Sequence, residues 1–192
     1  MSNPFSPIPL FATPFFTARI SEAAQHQAAL VAHIEALAET DPGVKRSNRD
    51  GWHSSPGFLD GDHPSVAWLR ERVVSFSRGC VGRRFQSPED LVLIQSWATI
   101  LQPTGGWHSP HHHRPAEWSG VFYVRAGPQP DAETRTGMLE FVHPSPVRGE
   151  GNFAMAPQDG TLVLFPAHLV HFVYPHVGDA TRIAVAFNLA ER

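Results

Sequence analysis

The histidines of this chain are unevenly distributed, and the densest group has a spacing that suits metal binding. Twelve histidines occur in 192 residues, and His111, His112 and His113 are consecutive. Successive side chains of an extended segment point to opposite faces. His111 and His113 should therefore point the same way, with His112 pointing the other way. The outer pair could then hold one metal ion from adjacent corners.

A third ligand could come from His171, which ends the strongly apolar stretch 162–171. A buried imidazole needs a polar partner there, because leaving a buried polar group unpaired costs about 1–3 kcal/mol in proteins. A metal ion would be such a partner, but a core histidine could also hydrogen-bond to backbone. The triplet could equally be exposed surface, or an adventitious site for nickel or zinc. Imidazole ligands suit iron, zinc, copper and nickel, so they do not select the metal.

Carboxylate ligands are the usual companions of two histidines in open iron(II) sites. Two residues after His111 this chain has His113 in place of Asp or Glu, and Glu117 is the nearest carboxylate. Strand alternation would also place Glu117 on the face of His111 and His113 if the strand extends that far. The spacing therefore leaves Glu117 as an additional candidate ligand.

Arg182 precedes an apolar run, Ile183–Phe187, that is typical of a buried strand. The segment Pro175–Asp179 has the composition of a hairpin loop, which predicts antiparallel neighbours with His171 and Arg182 at similar heights. A guanidinium binds a carboxylate through two parallel hydrogen bonds and gains most where water is scarce. A dicarboxylic cosubstrate could thus chelate the metal and contact Arg182. A salt bridge to Asp or Glu at the barrel rim is the alternative.

Short β-rich runs dominate the chain from about residue 90 and must position these residues. Gly- and Pro-rich turns separate them, at 103–106, 127–128, 159–160 and 178–179. Many short strands with turns between them favour a barrel or a double-sheet roll. The predicted strands are Leu91–Leu101, Trp118–Val124, Gly137–Phe141, Thr161–Phe165, His168–Tyr174 and Arg182–Leu189.

The first 80 residues predict an edge strand and two helices. Residues 8–20 look extended, and the prolines there suit a sheet edge. Ser21 is a plausible N-cap for a first helix that should fade near residues 41–43. Pro64 opens a second helix, with a one-faced apolar stripe at Val66, Leu69, Val73, Phe76 and Cys80. We expect these helices (about 21–80) to pack on a β core (about 90–190) in one domain, 1–192, with Cys80 part of the packed stripe.

Charge and composition exclude several classes of protein. The formal net charge is -3, and the nearest basic cluster, Arg78, Arg83 and Arg84, lacks interleaved aromatic residues, so nucleic-acid binding is not expected. Cys80 is the one cysteine, which suits a reducing cytoplasm. Prolines interrupt the apolar N-terminal residues, so neither a signal peptide nor a membrane span is expected there. Exposed edge segments of a barrel would allow a homodimer.

The ordered motifs resemble a known family. Residues 110–113 (PHHH) followed by 119–124 (SGVFYV) are similar to the His-x-His…Ser-Gly-Val-Tyr-Tyr-Val stretch of the 2-oxoglutarate/iron(II) oxygenases, and more narrowly to a small bacterial and phage-type group. Further pieces match in order: LFATP at 10–14, SNRDGW at 47–52, GMLEF at 137–141, PQDGTLVLFP at 157–166, His171, and RIAVAFN at 182–188. The resemblance spans nearly the whole chain.

The resemblance implies a mainly β fold, a double-stranded β-helix (jelly-roll, cupin-like) with two N-terminal helices packed on it. It implies iron(II) at His111, His113 and His171, and 2-oxoglutarate as a small-molecule cosubstrate bound by Arg182, with help from Tyr123. Such enzymes are dioxygenases that convert oxygen and 2-oxoglutarate into succinate, carbon dioxide and an oxidant that attacks the substrate. The substrate itself is unknown. The better-characterised relatives have Asp where this chain has His113.

Two other readings stay open at the sequence level. The first is a cupin-like metal protein that does not use 2-oxoglutarate, with His111, His113, Glu117 and His171 as ligands. The expected glycine of the second cupin motif is missing at 166–168. The second is a binding module with a non-catalytic site. Trp97, Trp107 and Trp118 are candidate pocket walls, and His108 and His168 are either supporting donors or surface residues.

Overall fold

The computed structural model describes residues 12–81, 88–129, 133–144 and 151–192. Within these ranges two helices precede and cover a mainly β core. Residues 8–11 of the predicted edge strand, Arg83 and Arg84 of the basic cluster, and the first two residues of the LFATP motif lie outside the described residues. None of the described helices combines the length and apolar character that crossing a bilayer requires.

Both predicted helices are present. Helix α1 spans Ala23–Thr40, with Glu22 at its N-cap, and the Ser21 hydroxyl hydrogen-bonds to the Glu22 carboxylate rather than capping the helix. Helix α2 spans Pro64–Val81. Its predicted stripe is the buried face, with Cys80 partly buried against the same core.

The described strands form two sheets that face each other. They are β1 (Phe16–Arg19), β2 (Asn48–Arg49), β3 (Gly51–His53), β4 (Leu91–Leu101), β5 (Thr104–His111), β6 (Trp118–Arg125), β7 (Leu139–Phe141), β8 (Phe153–Met155), β9 (Thr161–Pro166), β10 (His171–Val177) and β11 (Arg182–Glu191). One sheet has the order β1-β9-β6-β11-β4-β3 and the other β2-β5-β10-β7-β8. This is the expected mainly β, double-stranded β-helix architecture, with β1 at a sheet edge as predicted.

The six-stranded sheet separates two apolar layers because its side chains alternate. On β11, Ile183, Val185 and Phe187 face the helices and pack in one core cluster. Ala184 faces the opposing sheet and joins a second cluster, with Tyr123 and Leu139 among its members. Within this sheet, Gly120 of β6 leaves room for the Phe187 ring of the neighbouring strand β11, since a Cβ at Gly120 would lie 2.2 Å from that ring. The SGV motif thus has a packing role.

Two sequence predictions about the strands were wrong. The turn assigned to residues 103–106 is largely the start of β5, whose Gly- and Pro-containing sequence is held by pairing with β2 and β10. The strands β10 and β11 are also not hydrogen-bonded neighbours, because β10 pairs with β5 and β7 whereas β11 pairs with β4 and β6. The loop between them crosses from one sheet to the other.

Candidate metal centre and cosubstrate pocket

His111 and His171 face each other across the β5–β10 ladder, and their ring centroids are 4.4 Å apart. In each residue Nδ1 hydrogen-bonds to the backbone carbonyl oxygen two residues earlier, at 2.7 Å for His111 and 2.9 Å for His171. A carbonyl oxygen only accepts, so Nδ1 carries the hydrogen in both rings. The lone pair of each neutral ring is therefore on Nε2, where it is available to a metal ion.

His113 completes the cluster from beyond the end of β5. Its backbone N–H donates to the Ala167 carbonyl at 2.8 Å, which fixes this short loop segment against the end of β9. Its ring centroid lies 4.9 Å from that of His111 and 5.1 Å from that of His171. One ligand nitrogen from each of the three rings lies within 4.8 Å of the others. The structure thus brings together the three histidines predicted from the sequence.

Burial keeps these imidazoles neutral, which is the form that binds metals. Removal from water lowers the pKa of His113 to about 3, lowers that of His111, and lowers that of His171 well below its usual value. Each neighbouring ring lowers the pKa further, because a second positive charge nearby is unfavourable. Three neutral nitrogen donors on converging elements fit a divalent transition-metal ion such as iron(II).

Glu117 does not join the cluster, although strand alternation allowed it. Its side chain is exposed, and one carboxylate oxygen accepts a hydrogen bond from the Glu191 backbone N–H at 3.0 Å. The condition for that alternation is not met, because β5 ends at His111 and β6 begins at Trp118. The four-ligand cupin arrangement is therefore not favoured. His112 is exposed, and its Nδ1 accepts a hydrogen bond from the Arg114 backbone N–H.

Arg182 and Tyr123 are buried side by side in the same cavity. They are 2% and 0% exposed, and the guanidinium carbon lies 5.0 Å from the tyrosine ring centroid. Among the described residues the Tyr123 hydroxyl and Arg182 Nε have no hydrogen-bond partner, and no ion pair includes Arg182. Burial lowers the pKa of Arg182 and raises that of Tyr123. The rim salt bridge considered for Arg182 does not occur in this part of the chain.

One cavity of about 540 Å³ contains the histidine cluster, Arg182 and Tyr123. That volume is typical of small-molecule sites. Trp97 lines it and packs against His113, with ring centroids 5.4 Å apart. The two other predicted wall residues do not line it: Trp118 is in the core cluster beneath the helices, and Trp107 is half-buried elsewhere.

Several residues that line the cavity were not predicted from the sequence as site residues. Ser47 lies with its hydroxyl 3.1 Å from His108 Nδ1 and 3.5 Å from His111 Nε2. His108 is buried, and burial lowers its pKa well below the usual value, whereas His168 is exposed. Asn188 is 4% exposed and also lines the cavity. Ser47 and Asn188 lie in two of the family-like motifs, SNRDGW and RIAVAFN, and that was the available signal.

Comparisons with known proteins agree with this geometry. Residues 95–188 match the model of a family described as "Putative 2OG-Fe(II) oxygenase". This segment carries all three clustered histidines, Tyr123 and Arg182. No curated protein sequence matches the chain.

Solved structures share the fold at low sequence identity. A Pseudomonas putida prolyl-4-hydroxylase is 17% identical with a TM-score of 0.71, covering 94% of each chain. SnoN, a non-haem α-ketoglutarate-dependent epimerase from nogalamycin biosynthesis, is 13% identical with a TM-score of 0.70, covering 93% of this chain and 78% of its own. HygX from Streptomyces hygroscopicus, solved with nickel and 2-oxoglutarate bound, is 13% identical with a TM-score of 0.65, covering 93% and 83%.

These structural likenesses establish the fold. The family match adds the type of reaction, oxygenation, and the two cofactors, iron(II) and 2-oxoglutarate. The same fold serves a hydroxylase in one neighbour and an epimerase in another, so it does not name a substrate. The family match and the histidine cluster together identify the barrel, residues 95–188, as that of a 2-oxoglutarate- and iron(II)-dependent oxygenase.

Proposed function

We propose that His111, His113 and His171 hold the iron(II) ion, and that Arg182 and Tyr123 bind 2-oxoglutarate, in an enzyme that hydroxylates a small substrate. The observation that carries this assignment is the pairing of two unusual features in one cavity. Three neutral imidazoles converge at one position, and at another the buried Arg182 Nε and the buried Tyr123 hydroxyl have no hydrogen-bond partner among the described residues. A metal ion and a dicarboxylate would satisfy both.

The chain's own residues would bind and orient the reactants. Iron(II) with 2-oxoglutarate supplies oxygen activation when bound. Arg182 would hold the carboxylate of 2-oxoglutarate that is remote from the metal, because a guanidinium gains most from a carboxylate where water is excluded. The Tyr123 hydroxyl would donate a hydrogen bond to the same ligand. Phe165 and Trp97 line the cavity beside the histidines and would limit water there.

The three-histidine set changes the charge of the centre. A carboxylate ligand would cancel one positive charge of iron(II), whereas three neutral imidazoles cancel none. The dianion of 2-oxoglutarate compensates for this charge, while Arg182 adds one more positive charge. We therefore infer strong electrostatic attraction for the cosubstrate. Hydroxylation is our choice of reaction because the Pseudomonas putida neighbour is a prolyl-4-hydroxylase.

Anaerobic spectroscopy tests the assignment. Iron(II) and then 2-oxoglutarate are added to the purified protein, and the weak visible charge-transfer band of the chelate is titrated. Wild type should give the band at one iron per chain. Arg182→Ala should weaken 2-oxoglutarate binding by roughly a hundredfold, since a buried charge-assisted pair is lost. Arg49→Ala, an exposed arginine outside the cavity, is the matched control.

The possible results separate clearly. Bound iron without a band in wild type would overturn the oxygenase assignment. An unchanged 2-oxoglutarate affinity in Arg182→Ala would remove Arg182 from its role while leaving the iron site intact. Tyr123→Phe should weaken 2-oxoglutarate binding by about tenfold, the effect of losing one buried hydrogen bond.

Finer features of the protein are also our proposals. The motif match supports membership of the small bacterial and phage-type group. Extensive packing of both helices on the six-stranded sheet supports one domain over residues 1–192. A single cysteine suits the cytoplasm, and exposed Phe153 on the edge strand β8 suits a homodimer. Limited proteolysis would test the single domain, and sedimentation at several protein concentrations would test the homodimer. Cell fractionation would test the compartment.

A further inference from the structure

The cavity extends well past the part that 2-oxoglutarate would fill. Its wall includes one face of β11, with Arg182, Ala184, Ala186 and Asn188 in order. At about 3.3 Å per residue, Arg182 and Asn188 lie about 20 Å apart along the strand. The small alanines leave space between them. Trp97 is the β4 partner of Ala186 and contacts His113. The histidine cluster therefore lies towards the Asn188 end of this face.

Asn188 is an incompletely satisfied polar group at that end. Its amide nitrogen donates to Gln95 Oε1 at 3.1 Å, but its buried carbonyl oxygen Oδ1 has no partner among the described residues. An unpaired buried acceptor is costly, and most buried polar atoms in folded proteins have a partner. A hydrogen-bond donor on a bound molecule would satisfy it.

The mouth of the cavity is positively charged. Arg46 and Arg114 line it and are exposed, and no ion pair in the described ranges includes either one. No aspartate or glutamate occurs among the described lining residues. The nearby carboxylate of Asp41 already accepts hydrogen bonds from the backbone of Gly43 and Ser55.

The backbone holds the main chain of both arginines close to the histidine cluster. Arg46 precedes Ser47, whose carbonyl oxygen accepts from the Ser109 N–H at 2.9 Å and whose hydroxyl lies 3.5 Å from His111 Nε2. Arg114 directly follows His113. Arg46 thus comes from the segment before β2 and Arg114 from the loop after β5, and both line the same cavity.

We propose that the substrate is a small molecule with a carboxylate or phosphate group, which Arg46 and Arg114 bind at the mouth, and that Asn188 accepts a hydrogen bond from the part that enters the cavity. This inference rests on the proposed function, because it assigns the Arg182 end to 2-oxoglutarate. The excess positive charge of a three-histidine iron centre would also favour an anion bound at the mouth of the cavity.

Direct binding measurements test the charge requirement without turnover. Protein loaded anaerobically with iron(II) and saturating 2-oxoglutarate is titrated with phenylacetate, phenyl phosphate and neutral phenylacetamide, by calorimetry and by perturbation of the visible band. At least one anion should bind roughly tenfold or more tightly than the amide. Its affinity should fall as salt is raised, because charges at the mouth are exposed to screening. The stronger anion identifies the carboxylate or phosphate class.

Paired variants locate the anion. Arg46→Gln and Arg114→Gln should each weaken the preferred anion by about three- to tenfold and leave amide binding unchanged. Lys45→Gln removes the same charge from the same segment outside the cavity and should have no such effect. Equal binding of anions and amide, no anion binding at millimolar concentration, or unaltered affinity in both arginine variants would overturn the proposal.

Two further readouts complete the test. With phenylacetate replaced by 4-hydroxyphenylacetate, wild type should gain affinity and Asn188→Leu should lose that gain. An equal gain in Asn188→Leu would remove Asn188 from the proposal. Competition of the anion with 2-oxoglutarate would place it at Arg182 and overturn mouth binding. A missing visible band would instead indicate failure of the proposed function, and calorimetry would still report on the arginines.

Discussion

His171 lies directly opposite His111 in the ladder between β5 and β10, with the two ring centroids 4.4 Å apart. A cross-strand pair of this kind holds two of the proposed ligands on rigid elements, and a backbone hydrogen bond from His113 to Ala167 fixes the third. The rings are therefore positioned by the fold before any ion binds. Removing one ring should then cost metal binding without unfolding the barrel.

Replacement of His171 tests this preorganised cluster. His171→Ala should reduce bound iron(II) from about one ion per chain to near zero after gel filtration, because two imidazoles remain where three are needed. His112→Ala is the matched control, since His112 is exposed between the two other predicted ligands. Metal analysis measures the ratio, and circular dichroism checks the fold. Stoichiometric iron in His171→Ala would show that another residue is the ligand.

Substitution of the third histidine by a carboxylate tests the charge argument. His113→Asp should keep iron bound but lower the affinity for 2-oxoglutarate by roughly tenfold or more, because an added negative charge about 4 Å from a dianion is repulsive. His113→Asn, which adds no charge, is the comparison. The anaerobic charge-transfer titration gives both affinities. Tighter 2-oxoglutarate binding by His113→Asp would contradict the electrostatic account.

The sequence predicted the locally encoded parts of the fold well. β4 was predicted with its observed bounds, Leu91–Leu101, because a β-rich apolar run ends at a clear turn signal. The helix from Pro64 follows equally from its apolar periodicity. β5 was missed because its glycines and proline resemble a turn, whereas its strand conformation comes from pairing with distant partners.

The candidate site shows the same limit. Spacing suggested His111 and His113, the apolar context suggested His171 and Arg182, and the family-like motifs added Tyr123. The expected neighbour relation of β10 and β11 failed because sheet order depends on long-range pairing that a hairpin pattern does not encode. Arg46 had no local signal of function, and Asn188 had only its place in the RIAVAFN motif, because the folding of the barrel is what brings them to one cavity.

Arg182 should destabilise the protein in the absence of its ligand. Its buried guanidinium has no ion pair among the described residues, and burying an uncompensated charge is unfavourable. Arg182→Met should therefore raise the free energy of unfolding of the metal-free protein by about 1–2 kcal/mol, measured by urea denaturation. The additional thermal stabilisation that 2-oxoglutarate gives the metal-loaded wild type should be largely lost in Arg182→Met, whereas the stabilisation by metal alone should remain. A less stable Arg182→Met would indicate that Arg182 is structurally satisfied.

Glu140 should stabilise the strand beside His171. Its buried carboxylate accepts hydrogen bonds from Tyr174 Oη at 2.8 Å and Asn152 Nδ2 at 2.7 Å, and pairs with Arg135 at 2.8 Å. Glu140→Ala should lower the free energy of unfolding by about 2–3 kcal/mol, because it leaves these donors unpaired. Tyr174→Phe should cost about 1 kcal/mol. A change below 0.5 kcal/mol for Glu140→Ala, on the scale of ordinary surface substitutions, would rule out a structural role.

The buried histidines should make the metal-free protein less stable in mild acid. In the native state burial holds the pKa of His108 well below its usual value, whereas the unfolded chain titrates near about 6.5. Below that pH the unfolded state binds the extra proton, so stability is complete above pH 6.5 and falls as the pH falls towards the native pKa. One such group changes the free energy of unfolding by about 1.4 kcal/mol per pH unit in that interval.

Urea denaturation between pH 7.5 and 5 with a chelator measures this slope. His108→Asn should reduce it by about one proton, whatever its effect on stability at pH 7.5. His168→Asn removes an exposed histidine and should leave the slope close to that of wild type. Carboxylates contribute equally to all three proteins, so the difference isolates His108. An equal slope in wild type and His108→Asn would mean that His108 binds a proton as readily in the native protein as in the unfolded chain, against the burial that the cavity imposes on it.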